Sequence, residues 1–180
     1  RDWYLINLQT GERTLLLENT ILSLYFSREG KYVYYFKDKN WWAYDIANKH
    51  YLNLTEDLAV NLEDIYYDGP IDIAPSFGAA GWLKGDKEFC FYDEYDIWSV
   101  DMSSLKTKRL SNGRDKKMTF RFMKKGNLDL DGDVLLSVKG YDGKAGVFKY
   151  NAKGCHHSIV YGDYSYSRFI KANNTDCYLF

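Results

Sequence analysis

Residues 22–55 contain four short runs of aromatic and apolar residues, separated by polar, turn-forming residues. The first break is Ser-Arg-Glu-Gly at residues 27–30, and the second is Lys-Asp-Lys-Asn at residues 37–40. Short aromatic and β-branched runs bounded by Gly, Asn and Asp are typical of antiparallel strands joined by tight turns. No helix of ordinary length fits between these breaks. We therefore predict a four-stranded antiparallel meander with strands at residues 22–26, 32–36, 41–46 and 50–54.

The pattern of this meander recurs further along the chain. GKYVYY at residues 30–35 is matched by DKEFCF at residues 86–91, and WWAYD at residues 41–45 is matched by IWSVD at residues 97–101. The offset is 56 residues in both comparisons. Two separate signatures at one offset indicate an internal repeat, which bears on the whole fold prediction. Weaker copies of the third strand lie at residues 3–7 and 147–151.

Repeated units of four antiparallel strands at this spacing are typical of the blades of a β-propeller. The sequence therefore predicts an all-β protein, a β-propeller segment with about three full blades and two half-blades. We interpret residues 56–77, which include Pro70 and Pro75, as an insertion between blades. The predicted half-blades are residues 1–19 and 164–180, and the predicted blades are about residues 20–55, 76–111 and 117–161.

The two half-blades could pair to close a small four-bladed ring. Because propellers have about four to eight blades, the ragged ends favour a segment of a larger ring instead. The chain opens on Arg1 without an initiator Met and stops inside a run that resembles a strand. We therefore expect it to be a fragment of a longer protein.

Composition argues against several classes of partner. The 24 basic and 25 acidic residues are interleaved and give a net charge of −1, so the chain has no electrostatic footprint for nucleic acid. No apolar run approaches the roughly 20 residues that a membrane span needs. Cys90, Cys155 and Cys177 are too few and too scattered for a disulfide framework or a Cys-based zinc site, so we expect small buried thiols.

Four motifs carry a resemblance to a known family. FSREGKYVY at residues 26–34 is similar to an S-P-D-G-K blade motif, with Arg-Glu where that motif has Pro-Asp. WAYDI at residues 42–46, followed by LNLT at residues 52–55, resembles W-x-Y-D … N-L-T. Both motifs resemble propellers of prolyl oligopeptidase and dipeptidyl-peptidase-IV-like serine peptidases, and of TolB-like proteins. FGAAGW at residues 77–82 and FYDEYDIW at residues 91–98 look especially like bacterial prolyl-oligopeptidase-type proteins.

The resemblance implies a partner that this chain does not contain. In that family the nucleophilic Ser lies in the G-x-S-x-G elbow of a companion α/β-hydrolase domain. This chain has no G-x-S-x-G motif and no catalytic triad, so we expect it to hydrolyse nothing by itself. The implied role is a non-catalytic segment that gates or orients peptide substrates for the hydrolase domain. The resemblance alone suggests a periplasmic or secreted protein.

Two other functions remain open from the sequence. One is a TolB-like propeller that acts as a protein-binding module with no attached enzyme. The other is a free-standing four-bladed enzyme or lectin with a site in the central channel. The open reading frame beyond residue 180 separates these hypotheses from the peptidase.

Asp93, Glu94 and Asp96 concentrate three acids in one hairpin loop, and we predict them as candidate substrate-binding residues. They would bind the amino terminus of a peptide or a cation. Dipeptide-releasing members of the resembled family bind a free amine with acids of the propeller, but no residue-by-residue match to that pair exists here. A solvated turn is the alternative, because acids are common turn formers.

No catalytic residue, metal site or cofactor is predicted. His156 and His157 are adjacent, so on a strand they point to opposite faces and cannot bind one metal ion together.

Overall fold

The computed structural model describes residues 1–70, 73–124, 126–130, 132–151, 156–163, 165, 170–172, 175 and 177–179. Within these residues the chain is mostly β-structure in several antiparallel sheets. Helical structure is confined there to one turn of α-helix, α1 (Gly113–Lys116), and a 3-10 turn (Lys84–Asp86). In chain order the strands are β1 (Trp3–Ile6), β2 (Arg13–Leu17), β3 (Tyr25–Phe26), β4 (Tyr32–Lys37), β5 (Asn40–Asp45), β6 (His50–Asn53), β7 (Ala79–Leu83), β8 (Glu88–Tyr92), β9 (Ile97–Asp101), β10 (Thr107–Arg109), β11 (Met118–Phe122), β12 (Gly126–Leu128), β13 (Val134–Gly140), β14 (Ala145–Tyr150), β15 (His156–Gly162), β16 (Ile170–Lys171) and β17 (Tyr178–Leu179).

Three of the sheets contain antiparallel meanders. Sheet I has the order β3-β4-β5-β6, sheet II contains β7-β8-β9-β10, and sheet III has the order β11-β13-β14-β15. The four strands predicted within residues 22–55 are confirmed, although β3 is shorter than expected. Two antiparallel pairs, β1–β2 and β16–β17, lie at the chain ends. Part of the half-blade predicted at residues 164–180 lies outside the described residues.

The 56-residue offset recurs in the hydrogen bonds of sheets I and II. In sheet I the backbone N–H of Trp41 donates to the Thr55 hydroxyl at 3.0 Å. In sheet II the backbone N–H of Ile97 donates to the Ser111 hydroxyl, also at 3.0 Å. Each residue of the second pair lies 56 positions after its counterpart. The two sheets therefore close their third and fourth strands with the same side-chain-to-backbone bond.

Sheets I, II and III stack face to face in chain order, and β8 in the middle of the stack is therefore buried on both faces. Along β8, Phe89 and Phe91 pack with Trp41 of sheet I, while Cys90 and Tyr92 pack with residues of sheet III. Alternate residues of a strand face opposite sides of its sheet, and these four side chains are each at most 1% exposed. This burial explains why residues 89–92 of β8 are continuously apolar, whereas an antiparallel strand with one solvated face alternates.

Aromatic rings fill the interface between sheets I and II. The ring centroid of Phe89 lies 5.1 Å from that of Tyr34, 5.2 Å from that of Trp41 and 4.9 Å from that of Trp82. Such pairs contribute about 0.5–1.5 kcal/mol each beyond the apolar area they bury. The pair β1–β2 packs on the opposite face of sheet I, where Leu16 joins a smaller core with Val33.

Sheet II has a fifth strand that the sequence pattern did not indicate. β12 pairs in parallel with β7, with Gly126 opposite Gly81. Gly81 has a φ of 140°, and a Cβ atom on it would overlap the carbonyl oxygen of Gly126, so this approach requires glycine. The sheet therefore has five strands, and the expectation of four strands is wrong. No closed ring or barrel of sheets is present among the described residues.

The predicted insertion at residues 56–77 folds back on the core. The backbone N–H of Asp64 donates to the Pro75 carbonyl at 2.8 Å, and that of Phe77 donates to the Leu62 carbonyl at 2.9 Å. Leu62 is buried in the core between sheets I and II. The part of this insertion that is described is thus anchored at both ends.

The cysteines differ in their surroundings. Cys90 is buried, as expected, and burial raises the pKa of its thiol. Cys177 is exposed, so the expectation of a buried thiol is wrong there. Cys155 lies outside the described residues. In the described part of the chain, no helix is both long enough and apolar enough to cross a membrane.

A buried carboxylate joins the β3–β4 turn of sheet I to the β7–β8 turn of sheet II. Asp86 accepts hydrogen bonds from the Ser27 hydroxyl at 2.6 Å and from the backbone N–H groups of Glu29 and Lys31 at 3.0 and 3.2 Å. The Lys31 ammonium group donates to the Gly85 carbonyl at 2.8 Å. Equivalent turns of successive repeats thus contact each other directly.

Replacing this carboxylate by an amide should weaken the contact between sheets. In Asp86→Asn, an NH2 group faces donors, and we expect the free energy of unfolding to fall by about 2 kcal/mol, because bonds to a charged acceptor are worth about 1.5–3 kcal/mol. Urea unfolding measures the change. The matched control is Asp57→Asn, at an exposed residue, which should change stability by no more than about 0.5 kcal/mol. Equal effects of the two substitutions would contradict the role assigned to Asp86.

Candidate functional site

The acidic hairpin, residues 93–96, joins β8 to β9, and its two aspartates are buried. Asp93 and Asp96 are each 0% exposed. One carboxylate oxygen of Asp93 accepts from the backbone N–H of Tyr95 at 2.8 Å and from that of Asp96. Its other oxygen forms an ion pair with Arg114 at 3.0 Å. The Asp93 carboxylate therefore shapes the turn and ties it to α1.

Asp96 holds the short helix that follows sheet II. Its carboxylate accepts hydrogen bonds from the Ser111 hydroxyl at 2.6 Å, from the backbone N–H of Gly113, and from that of Arg114 at 3.2 Å. Backbone N–H groups at the start of a helix lack intrahelical partners, and a carboxylate satisfies them. Asp93 and Asp96 thus bind the chain itself, and the solvated-turn interpretation is wrong for both.

Glu94 is the acid of this hairpin that reaches solvent. Its side chain is partly exposed, and one carboxylate oxygen accepts hydrogen bonds from the hydroxyls of Tyr66 at 2.7 Å and Tyr141 at 2.5 Å. The two hydroxyls are 3.2 Å apart. Tyr66 belongs to the insertion and Tyr141 to the turn between β13 and β14, so three distant segments meet at one carboxylate.

Aromatic rings and cations hold this arrangement in place. The ring of Tyr95 stacks on that of Tyr141, with centroids 5.5 Å apart, and the Arg114 guanidinium lies 4.7 Å above the Tyr95 ring. Arg121 donates to the backbone carbonyls of Asp93 and Glu94 at 2.8 and 3.1 Å. We name Glu94 with Tyr66, Tyr95 and Tyr141 the Glu94 cluster.

The Glu94 carboxyl is ionised at neutral pH. Partial burial acts to raise its pKa, but hydrogen bonds from Tyr141, Tyr66 and Tyr95 outweigh burial and hold the pKa below its usual value. The same hydrogen bonds to Glu94 raise the pKa values of the Tyr66 and Tyr141 hydroxyls. The cluster therefore carries one negative charge that is hydrogen-bonded by neutral hydroxyls, with the Arg114 guanidinium nearby on the Tyr95 ring.

Such a cluster can bind a cation, because a carboxylate attracts an ammonium group. Within the described residues, no group of three His, Cys, Asp or Glu side chains could hold a metal ion. The sequence prediction included Glu94, but it missed Tyr66 and Tyr141, because no local spacing links them to the hairpin.

A second feature is a cleft of about 1020 Å³ beside β3, the edge strand of sheet I. One side of the cleft is lined by aromatic residues of sheet I, and the other by the end of the insertion and the start of β7. The lining residues include Tyr25, Tyr34, Phe36, Trp41, Pro75 and Ala79. None of these residues was a candidate in the sequence.

No protein-family model matches this chain, and a search of curated proteins finds no match either. The resemblance carried by the sequence motifs therefore stays a hypothesis about family.

The coupling between Glu94 and its tyrosines can be tested by titration. In Glu94→Gln the negative charge that disfavours phenolate is lost, so the pKa values of Tyr66 and Tyr141 should fall toward the ordinary value for tyrosine. NMR titration of the chain with 13Cζ-labelled tyrosine measures both shifts. Glu56→Gln, at an exposed residue, is the control and should leave these two resonances unchanged. Tyrosine titrations that are the same in both variants would contradict the hydrogen-bonded arrangement.

Proposed function

We propose that this chain is a β-propeller segment of a prolyl-oligopeptidase-type serine peptidase, and that it gates or orients peptide substrates for a companion α/β-hydrolase domain. The support for a propeller is a set of antiparallel sheets stacked in chain order, with equivalent bonds 56 residues apart. The support for the peptidase is the resemblance of the motifs at residues 77–82 and 91–98. On this proposal sheets I, II and III are blades.

The observation that carries the orienting role is the ionised carboxylate of Glu94 at the tip of a hairpin. A peptide with a free amino terminus carries an ammonium group with donors suited to a carboxylate. The hydroxyls of Tyr66 and Tyr141 flank that carboxylate, and their oxygens can accept further hydrogen bonds from the ammonium group. Buried Asp93 fixes the turn that presents Glu94. Within this proposal, Glu94 replaces the three-acid site expected from the sequence.

The companion domain can be tested directly on the gene and its product. The open reading frame that continues past residue 180 should encode a G-x-S-x-G elbow followed by Asp and then His. The complete product should be labelled by a fluorophosphonate probe, which reacts with activated serine nucleophiles, and alanine at the elbow Ser should abolish labelling. A stop codon shortly after residue 180 would overturn the peptidase proposal and favour the protein-binding module.

The orienting role makes a separate prediction for the complete gene product. Glu94→Gln should raise KM about tenfold for peptides with a free amino terminus, since an uncompensated loss of about 1.4 kcal/mol in binding is tenfold. KM for the same peptides with an acetylated amino terminus should not change, and kcat should be similar for both. The control is Glu56→Gln. An equal rise in KM for free and acetylated peptides would show that Glu94 does not recognise the amine. That result would not contradict the proposal of a companion hydrolase domain.

A further inference from the structure

The hydroxyl groups of Tyr66 and Tyr141 meet at the surface of the protein. Their oxygens lie 3.2 Å apart, although the two residues are 75 positions apart in the chain. Both side chains are accessible, since Tyr66 is 63% exposed and Tyr141 is 56% exposed. Tyr66 belongs to the insertion and Tyr141 to the turn between β13 and β14, so the contact joins two distant segments.

This contact brings together the reactive ends of the two rings. When a tyrosine loses one electron and its hydroxyl proton, the unpaired electron is shared by the oxygen and by the ring carbons ortho and para to it. The para carbon carries the side chain, so two such radicals couple through their ortho carbons. Because ortho carbons flank the hydroxyl, two hydroxyls in contact place the ortho carbons of Tyr66 and Tyr141 side by side.

Glu94 supplies the proton acceptor that such an oxidation needs. Its carboxylate accepts hydrogen bonds from both hydroxyls, at 2.7 Å from Tyr66 and 2.5 Å from Tyr141. Loss of an electron makes a phenol strongly acidic, and a carboxylate already in hydrogen-bond contact is placed to take the proton. The same carboxylate holds the two hydroxyls together, which favours coupling within one chain over coupling between chains.

Two other tyrosine pairs are less accessible to an oxidant. The ring centroids of Tyr44 and Tyr51 lie 4.9 Å apart, but Tyr44 is 4% exposed. The ring centroids of Tyr25 and Tyr34 lie 5.6 Å apart, and Tyr34 is partly buried. Accessibility, hydroxyl contact and a shared carboxylate are thus combined at the Glu94 cluster.

We propose that Tyr66 and Tyr141 form an oxidative crosslinking site, with Glu94 as the proton acceptor. The reaction would make a dityrosine bond and attach the insertion covalently to sheet III. The co-reactant is hydrogen peroxide, used by a haem peroxidase. The inference goes beyond the proposed function, and its test uses no peptide and no hydrolase domain, so its failure would leave that function standing.

The crosslinking reaction balances with one molecule of hydrogen peroxide. Each phenol gives one electron to the peroxidase and releases its hydroxyl proton through Glu94 to water. The two radicals form one carbon–carbon bond between their ortho carbons, and the hydrogen on each of these carbons is then lost as a proton while each oxygen regains one. The two electrons and the two protons released overall reduce hydrogen peroxide to two molecules of water.

The test treats the 180-residue chain with a haem peroxidase and hydrogen peroxide at neutral pH. Iodoacetamide first blocks accessible thiols such as Cys177. The product that remains monomeric should acquire dityrosine fluorescence, and the yield should not depend on dilution of the chain. After digestion, mass spectrometry should find one main crosslinked pair of peptides, which joins Tyr66 to Tyr141 with the loss of two hydrogen atoms.

Variants test the role of each group. Tyr66→Phe and Tyr141→Phe should each lower the dityrosine fluorescence of the monomer at least tenfold, since rings held in contact react far faster than rings that must collide. Tyr4→Phe is the control, at a tyrosine that is 49% exposed outside the cluster, and it should leave the yield unchanged. Glu94→Gln should lower the initial rate about tenfold or more, because an amide is a much weaker proton acceptor. Near-ultraviolet circular dichroism confirms that the variants fold.

Three outcomes would overturn the proposal. The first is a monomeric product without a crosslink between Tyr66 and Tyr141. The second is a set of crosslinks spread over exposed tyrosines such as Tyr4 and Tyr25, which would show that accessibility alone decides where coupling occurs. The third is a wild-type rate of coupling in Glu94→Gln, which would exclude the carboxylate as the proton acceptor.

Discussion

The burial of β8 on both faces is the constraint on which the rest of the structure depends. Phe89 and Phe91 complete the core shared with sheet I, and Cys90 and Tyr92 complete the core shared with sheet III. Because neither face can be given to solvent, sheet II is stable only between two neighbours, and the stacking order follows the chain order. The Asp86 contacts then fix how sheets I and II meet, since a buried carboxylate satisfied by the Ser27 turn tolerates little displacement.

Two-sided burial also limits where this chain can bind anything. The faces of sheet II are occupied by packing, so binding to this sheet is confined to its turns and edges. Glu94 lies at such a turn. In many proteins, binding residues likewise lie on loops that a rigid scaffold holds in position. The ion pair of Asp93 with Arg114 makes the Glu94 turn part of that scaffold.

The strands were predictable because their signals are local, whereas only Glu94 of the site was predicted and its tyrosine partners were not. Aromatic alternation and turn residues located sheet I from residues 22–55 alone. β12 left no signal, because a three-residue strand is too short to show a period and its pairing depends on Gly81. The contacts of Glu94 are equally hidden, since Tyr66 lies 28 positions away and Tyr141 lies 47 positions away. The partner of the Asp93 carboxylate is also distant, since Arg114 lies 21 positions along the chain.

Comparing the two copies of the repeat shows what changed at the candidate sites. The turn of sheet I passes through Asp38 and Lys39 with φ values of 49° and 66°, which cost backbone strain. At the equivalent turn of sheet II, the Asp93 carboxylate accepts the backbone N–H of Tyr95 instead, and Glu94 is presented without a positive φ. The hydrogen bond that joins the third strand to the end of the fourth is kept in both sheets. The turn between the second and third strands differs, and so does the edge of the first strand, which only in sheet II is paired with a fifth strand among the described residues. The features that the two copies share are those that packing between the sheets requires. The turn and the strand edge are free to differ, so a binding site can form there without disturbing the packing of the sheets.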